Sequence, residues 1–203
     1  MTTPRGVVPP NLPIALKEYN QRSTEQFNNV LRLYFNQVSN RINAPVPHAS
    51  YFDTTTQTNP VANTTNLFTY NSVVSDYEVT RGTPTSKIYV ANTGVYNFQF
   101  SAQLDKTGGS ASAVYIWPRI NGVNVPDSAT KVVIDGPNSE IVAAWNFVLV
   151  MKANDYFELA WESSDTAVVI PYVPINNIPS IPSIILSVTW VSNYGSAIYQ
   201  AAT

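Results

Sequence analysis

The sequence contains no cysteine. That excludes disulfides, thiolate metal sites and a cysteine nucleophile, and it leaves packing and assembly to supply stability. Histidine is almost as scarce: His48, between Pro47 and Ala49 in a segment that reads as linker, is the only one. A Ser-His-Asp arrangement would have to use it, and no serine lies in a nucleophile-elbow sequence. Charged residues make up only 12% of the chain and sum to −2, which argues against nucleic acid as a principal ligand. Long apolar runs are missing too, since the longest, Ile141 to Met151, falls far short of the roughly 20 residues a membrane helix needs. Met1 to Pro10 lacks the apolar core of a secretory signal, so the expectation is a soluble chain that stays where it is made.

What is present describes a folded β protein. Aromatics reach 12% and prolines number 15 in 203 residues, a loop-rich composition with enough chain for one substantial core. Charge is unevenly placed. Up to Pro45, five basic residues face two acidic ones for a net +3; the rest carries six basic and eleven acidic residues for −5. The two parts are expected to meet different surfaces.

Four segments follow along the chain. Residues 1–13 hold Pro4, Pro9, Pro10 and Pro13 without hydrophobic periodicity, the pattern of an extended arm that a partner surface would order. Residues 14–43 lack proline and glycine, and Phe27, Val30, Leu31, Tyr34, Val38 and Ile42 recur at helical spacing along one face. The helix should stop at Ala44-Pro45. Its apolar stripe needs a cover, either the chain's own β domain or symmetry-related helices. Residues 44–86, dominated by Thr and Asn, read as linker and edge strands.

From residue 87 to 203 the period is two. Tyr96, Phe98, Phe100, Ala102 and Leu104 alternate with Asn97, Gln99, Ser101 and Gln103. Further strands are expected at 113–120, 131–134, 140–151, 156–163, 167–172 and 183–191, joined by turns such as Asn121-Gly122 and Asp135-Gly136-Pro137-Asn138. Strands joined by turns instead of helices indicate an antiparallel sandwich. The segments 141–151 and 183–191 are apolar on both faces, which suits central strands covered by a second sheet on one side and a neighbouring subunit on the other. Left bare, Val142, Ala144, Val148 and Val150 would expose an apolar patch. These residues are therefore the expected interface of an oligomer.

Gly94-Val95-Tyr96-Asn97-Phe98-Gln99-Phe100 resembles the signature strand of the complement-type, tumour-necrosis-factor-like jelly rolls, with Ile88 where that signature has an aromatic. Three aromatics on alternate positions fill a narrow sandwich, and the glycine would release the preceding turn. The segments 117–128, 143–147 and 181–186 resemble stretches that recur in the same order in bacteriophage virion proteins. The resemblance spans residues 87–192. It implies a mainly β jelly roll, threefold assembly, and a place on the virion surface as tail fibre, spike or capsid decoration, made in the host cytoplasm. It implies no catalysis and no cofactor. In that setting the arm and helix, with Arg5, Phe27, Leu31, Tyr34 and Val38, would anchor the chain to other virion proteins. The exposed domain would then be free to contact a host surface polysaccharide or protein. The main alternative is a carbohydrate- or protein-binding jelly roll outside any virus.

The remaining candidates divide between core and surface. Tyr96, Phe98, Phe100, Trp145, Phe147 and Trp161 are expected in the core, in phase with apolar neighbours. Tyr115, Trp117, Tyr172 and Tyr194 are candidates for sugar stacking, because an aromatic face takes up sugar CH groups as it does other apolar surface. Glu158 and Glu162 share one face of their strand, the arrangement a glycan hydrolase would draw on. Asp135 and Asn138 offer oxygens to a calcium ion but too sparsely for an EF-hand loop, so a plain turn is expected.

Overall fold

A helix, α1, runs from Gln21 to Asn43 in the computed structural model, which describes residues 10–13 and 20–193. Asn20 caps it, its side chain accepting the Ser23 N–H at 3.1 Å, as a residue with extended backbone at this position does. The helix ends at Ala44, whose extended backbone leads into Pro45. Phe27, Leu33, Phe35 and Ile42 are exposed. Arg5 and the expected helical residues 14–19 lie outside the described residues. The chain divides into two units that part between Pro45 and Val46.

The second unit is built of β-strands. They are β1 (His48–Asp53), β2 (Gln57–Thr58), β3 (Asn66–Leu67), β4 (Ser72–Tyr77), β5 (Val79–Arg81), β6 (Ile88–Val90) and β7 (Gly94–Lys106). There follow β8 (Ser112–Ile120), β9 (Val123–Asn124), β10 (Thr130–Ile134), β11 (Ser139–Met151), β12 (Tyr156–Ser163), β13 (Val168–Ile170) and β14 (Ile184–Ser192). They form two antiparallel sheets. The first runs β11-β7-β14-β1-β4, with β13 and β2 continuing beside β7; the second runs β10-β8-β12-β6-β5, with β9 on β8 and β3 on β12. Mainly β, with two antiparallel sheets and one helix among the described residues, the structure is consistent with a jelly-roll sandwich.

The aromatic strand behaves as its alternation requires. Tyr96, Phe98 and Phe100 on β7 are buried, and Phe98 stacks on Phe157 of the opposite sheet, with ring centres 4.0 Å apart. Trp161 is buried against Phe68. Trp145 and Phe147 are only partly buried and pack on the core from the side, each within reach of Phe100.

Their position explains this. Among the described residues β11 pairs with β7 alone, over the full length of both strands, so it forms a sheet edge and not the centre that its two apolar faces suggested. Apolarity on both faces reports what covers a strand above and below; it says nothing of lateral neighbours. By contrast β14 does lie inside its sheet, between β7 and β1.

Three further expectations are corrected. The sandwich begins well before residue 87, because β1 sits between β14 and β4 and buries Ala49, Tyr51 and Asp53. His48 opens that strand instead of lying in a linker. Its Nδ1 donates to the Val46 carbonyl at 2.8 Å, and its ring stacks on Tyr77. Gly94 does not serve to release a turn. It is buried at the start of β7, and a Cβ there would collide with the Trp190 indole and the Ser192 carbonyl. Close approach is what demands glycine at this position.

Candidate functional site

Alternation along β8 and β12 divides their side chains between the core and the outer face of the second sheet. Val114 and Ile116 point inward with Leu159 and Trp161. Tyr115 and Trp117 therefore lie outward, opposite Glu162 and Ala160 in register. Lys131 on β10 stands opposite Tyr115 on its other side, its ammonium 6.0 Å from the ring centre.

Two loops wall this floor. The first follows β9, which pairs with the end of β8. Trp117 Nε1 donates to Asn124 Oδ1 at 2.9 Å, the Val125 N–H donates to the Pro118 carbonyl, and the Ser128 hydroxyl donates to the Val125 carbonyl at 2.6 Å. The second wall comes from residues 59–66. Asn59, buried, donates to the carbonyls of Ser163 and Asp165 and accepts from Asn66, and the Asn63 N–H donates to the Ser163 carbonyl.

Together they enclose an open groove of about 880 Å³ lined by Asn63, Tyr115, Trp117, Asn124, Asp127 and Glu162, among others. Tyr115 is 37% exposed, whereas Trp117 is 9% exposed and largely covered. Tyr115 thus offers the open ring, and Trp117 forms the floor beneath the Asn124 loop. Tyr172 lies beyond β13, where its N–H donates to Thr56 Oγ1, and it does not line the groove. Tyr194 lies outside the described residues.

A second surface occupies the outer face of the first sheet. Val142, Val148 and Val150 on β11 are 56%, 59% and 40% exposed, and Ala144 is exposed in the same row. Beside them β7 presents Asn97, Gln99 and Gln103, and Asn146 donates to Asn97 at 2.8 Å. Ile185 and Val191 of β14 are exposed on the same sheet. The face is thus an apolar edge next to an amide-rich centre.

No protein-family model and no curated protein matches the sequence. Among solved structures the chain is similar to the globular domain of zebrafish complement 1qA protein, at 14% identity and a TM-score of 0.45, with 74% of this chain and 100% of that one covered. The fold described above rests on the strand pairing alone.

Other polar groups are held by internal partners. Lys106 is fully buried on β7, its ammonium donating to Asp165 and to Ser112, each at 2.6 Å. Asp165 also accepts from the Ala167 N–H. The Lys106 hydrogen bond, followed by that of Ala167, holds the Asp165 carboxyl below the usual carboxylate range. Glu158 is buried, accepts from Ser86 and faces Arg119 at 3.8 Å. Glu158 and Glu162 stand four residues apart on one strand face, their Cα atoms about 13 Å apart at the usual rise. In the turn between β10 and β11, Gly136 and Asn138 take positive φ and the Asn138 N–H donates to the Lys106 carbonyl. No group of three or more metal-ligating side chains occurs among the described residues. No helix among them is long and apolar enough to cross a membrane.

Proposed function

We propose that this chain is a non-catalytic structural subunit that assembles as a homotrimer through the outer face of its first sheet and serves on the surface of a bacteriophage virion. The observation that carries the assembly is the exposed row Val142, Ala144, Val148 and Val150 on β11. Valines half open to water on one strand face gain from being covered. The virion setting is favoured by the segments 117–128, 143–147 and 181–186 and their likeness to virion proteins. Anchoring falls to residues 1–43, whose net positive charge suits an acidic virion surface. The burial of Glu158 against Ser86 and Arg119 favours a non-catalytic role for it.

The test has two arms. Light scattering on the purified chain should return three times the chain mass; a monomer at every concentration would remove the assembly reading. Deleting residues 1–43 should abolish incorporation into particles and leave the trimer folded, and normal incorporation would remove the anchoring role.

A second reading has an observation of its own. The groove over Tyr115 suits a carbohydrate- or protein-binding module, in or outside a virus, with a host surface polysaccharide or protein as its ligand.

A further inference from the structure

The groove gathers several polar side chains into one concavity. Several polar side chains in neighbouring loops are satisfied internally: Asn59 by two carbonyls, Asp53 by Thr55 and Thr69, Asn121 by Asp155 and the Tyr156 N–H. In the groove, the side chains of Asn63, Asp127 and Glu162 make no hydrogen bond or ion pair among the described residues, and neither does the Tyr115 hydroxyl. All four converge on one concavity around an accessible aromatic ring. Asn63 and Asp127 are held there at positive φ, 54° in each case, by loops that the Asn59 clasp and the Ser128 hydrogen bond fix in place. Glu162 stands on a strand. The free acceptors are thus presented by a settled backbone, which lowers the ordering cost of binding.

The chemistry of the lining selects among ligands. It contains two carboxylates, two amides and two aromatic rings, and no lysine or arginine. Lys131 lies over the Tyr115 ring and is not among the lining residues. Carboxylates and amides accept hydrogen bonds from hydroxyl groups, and an aromatic face covers the CH surface of a sugar ring. An anionic ligand would meet two carboxylates, offset only by the single ammonium of Lys131 beside the Tyr115 ring. A peptide strand would seek an open sheet edge, whereas this floor is an interior sheet face.

We infer that the groove between the 59–66 loop and the 123–129 loop is a binding site for uncharged, hydroxyl-rich saccharides, with Tyr115 as the stacking platform and Glu162, Asp127 and Asn63 as hydroxyl acceptors and donors. The inference rests on the binding reading of this groove and adds the ligand class. It does not depend on the assembly proposed for the other sheet.

The test uses the full chain and two probe sets: uncharged oligosaccharides of glucose, galactose, rhamnose and N-acetylglucosamine, and oligogalacturonate as the anionic control. Binding is read by saturation-transfer NMR and by titration calorimetry. At least one uncharged oligosaccharide should bind saturably, and oligogalacturonate should bind at least about tenfold more weakly. Tyr115→Ala should weaken binding about tenfold or more, the scale of one lost aromatic contact, while Tyr115→Phe retains most of it and Tyr172→Ala leaves it unchanged. Glu162→Gln should weaken it several-fold. Thermal melts of each variant distinguish loss of ligand from loss of fold. Preferred binding of oligogalacturonate would overturn the ligand class and keep the binding reading. No binding of either set, or binding that survives Tyr115→Ala in the folded variant, would overturn the site itself.

Discussion

Val148 offers the sharpest test of the assembly. It is 59% exposed on the outer face of β11, flanked in the same row by Val142 at 56% and Val150 at 40%. Full burial of a valine contributes about 1.5–3 kcal/mol, so covering the open half of each gives roughly 1 kcal/mol. The row then contributes about 3 kcal/mol per protomer and about 9 kcal/mol per trimer. Val148→Glu replaces one such gain with an ion whose burial costs several kcal/mol, repeated at three symmetry-related places. The net change of about 10 kcal/mol corresponds to roughly seven decades in the trimer association constant. The midpoint concentration of a monomer–trimer equilibrium scales as the square root of that constant, so it should rise by about three decades. Sedimentation of Val148→Glu at micromolar protein should therefore show monomer where the parent shows trimer. Because the side chain faces solvent in the isolated chain, the thermal stability of the monomer should change by no more than about 0.5 kcal/mol. A Val148→Glu trimer that persists down to the parent's own dissociation range would refute the reasoning.

Two further outcomes follow from the core. Phe98→Ala removes a fully buried ring stacked on Phe157 and should cost about 3–5 kcal/mol, a fall in melting temperature on the order of 10 °C; a loss below about 1 kcal/mol would mean that the two sheets do not meet there. Asp165 has its carboxyl held low by Lys106 in the folded state, so its contribution is present above the unfolded value near 4 and is lost as pH falls below it. Urea midpoints should then differ most between the parent and Asp165→Asn above about pH 5 and converge towards about pH 3; a constant difference across that range would refute the linkage.

The sandwich was legible where alternation was clean. Tyr96, Phe98 and Phe100 could be assigned to the core because the amides Asn97 and Gln99 separate them, and Asn121-Gly122 marked its turn because both residues accept positive φ. Strand β1 was hidden because its buried positions include Asp53, whose carboxylate is satisfied by Thr55 and Thr69. In sequence such a group of polar residues reads as loop. The edge position of β11 was not legible, since the hydrophobic pattern encodes faces and not neighbours. Trp117 read as an exposed platform because nothing in the sequence shows the Asn124 loop folding back over it. The groove itself depends on Asn63, Asp127 and Glu162, which no local spacing connects. The pairing of β8 with β12 and β9, and the clasp of Asn59 on Ser163, bring them together.

The groove and the valine row lie on the outer faces of opposite sheets. In the proposed assembly, closure over one face would leave the other turned outward, so each added subunit would also add a site of the proposed kind. In the proposed trimer, three sites rigidly linked on one particle would convert the second and third contacts with a repetitive surface into intramolecular events. The gain in avidity can reach about 10²–10⁴ when the spacing of the sites matches that of the surface. Individually weak recognition would then suffice for firm yet reversible adhesion, and the density of the ligand, more than its affinity for one groove, would decide where such a particle stays.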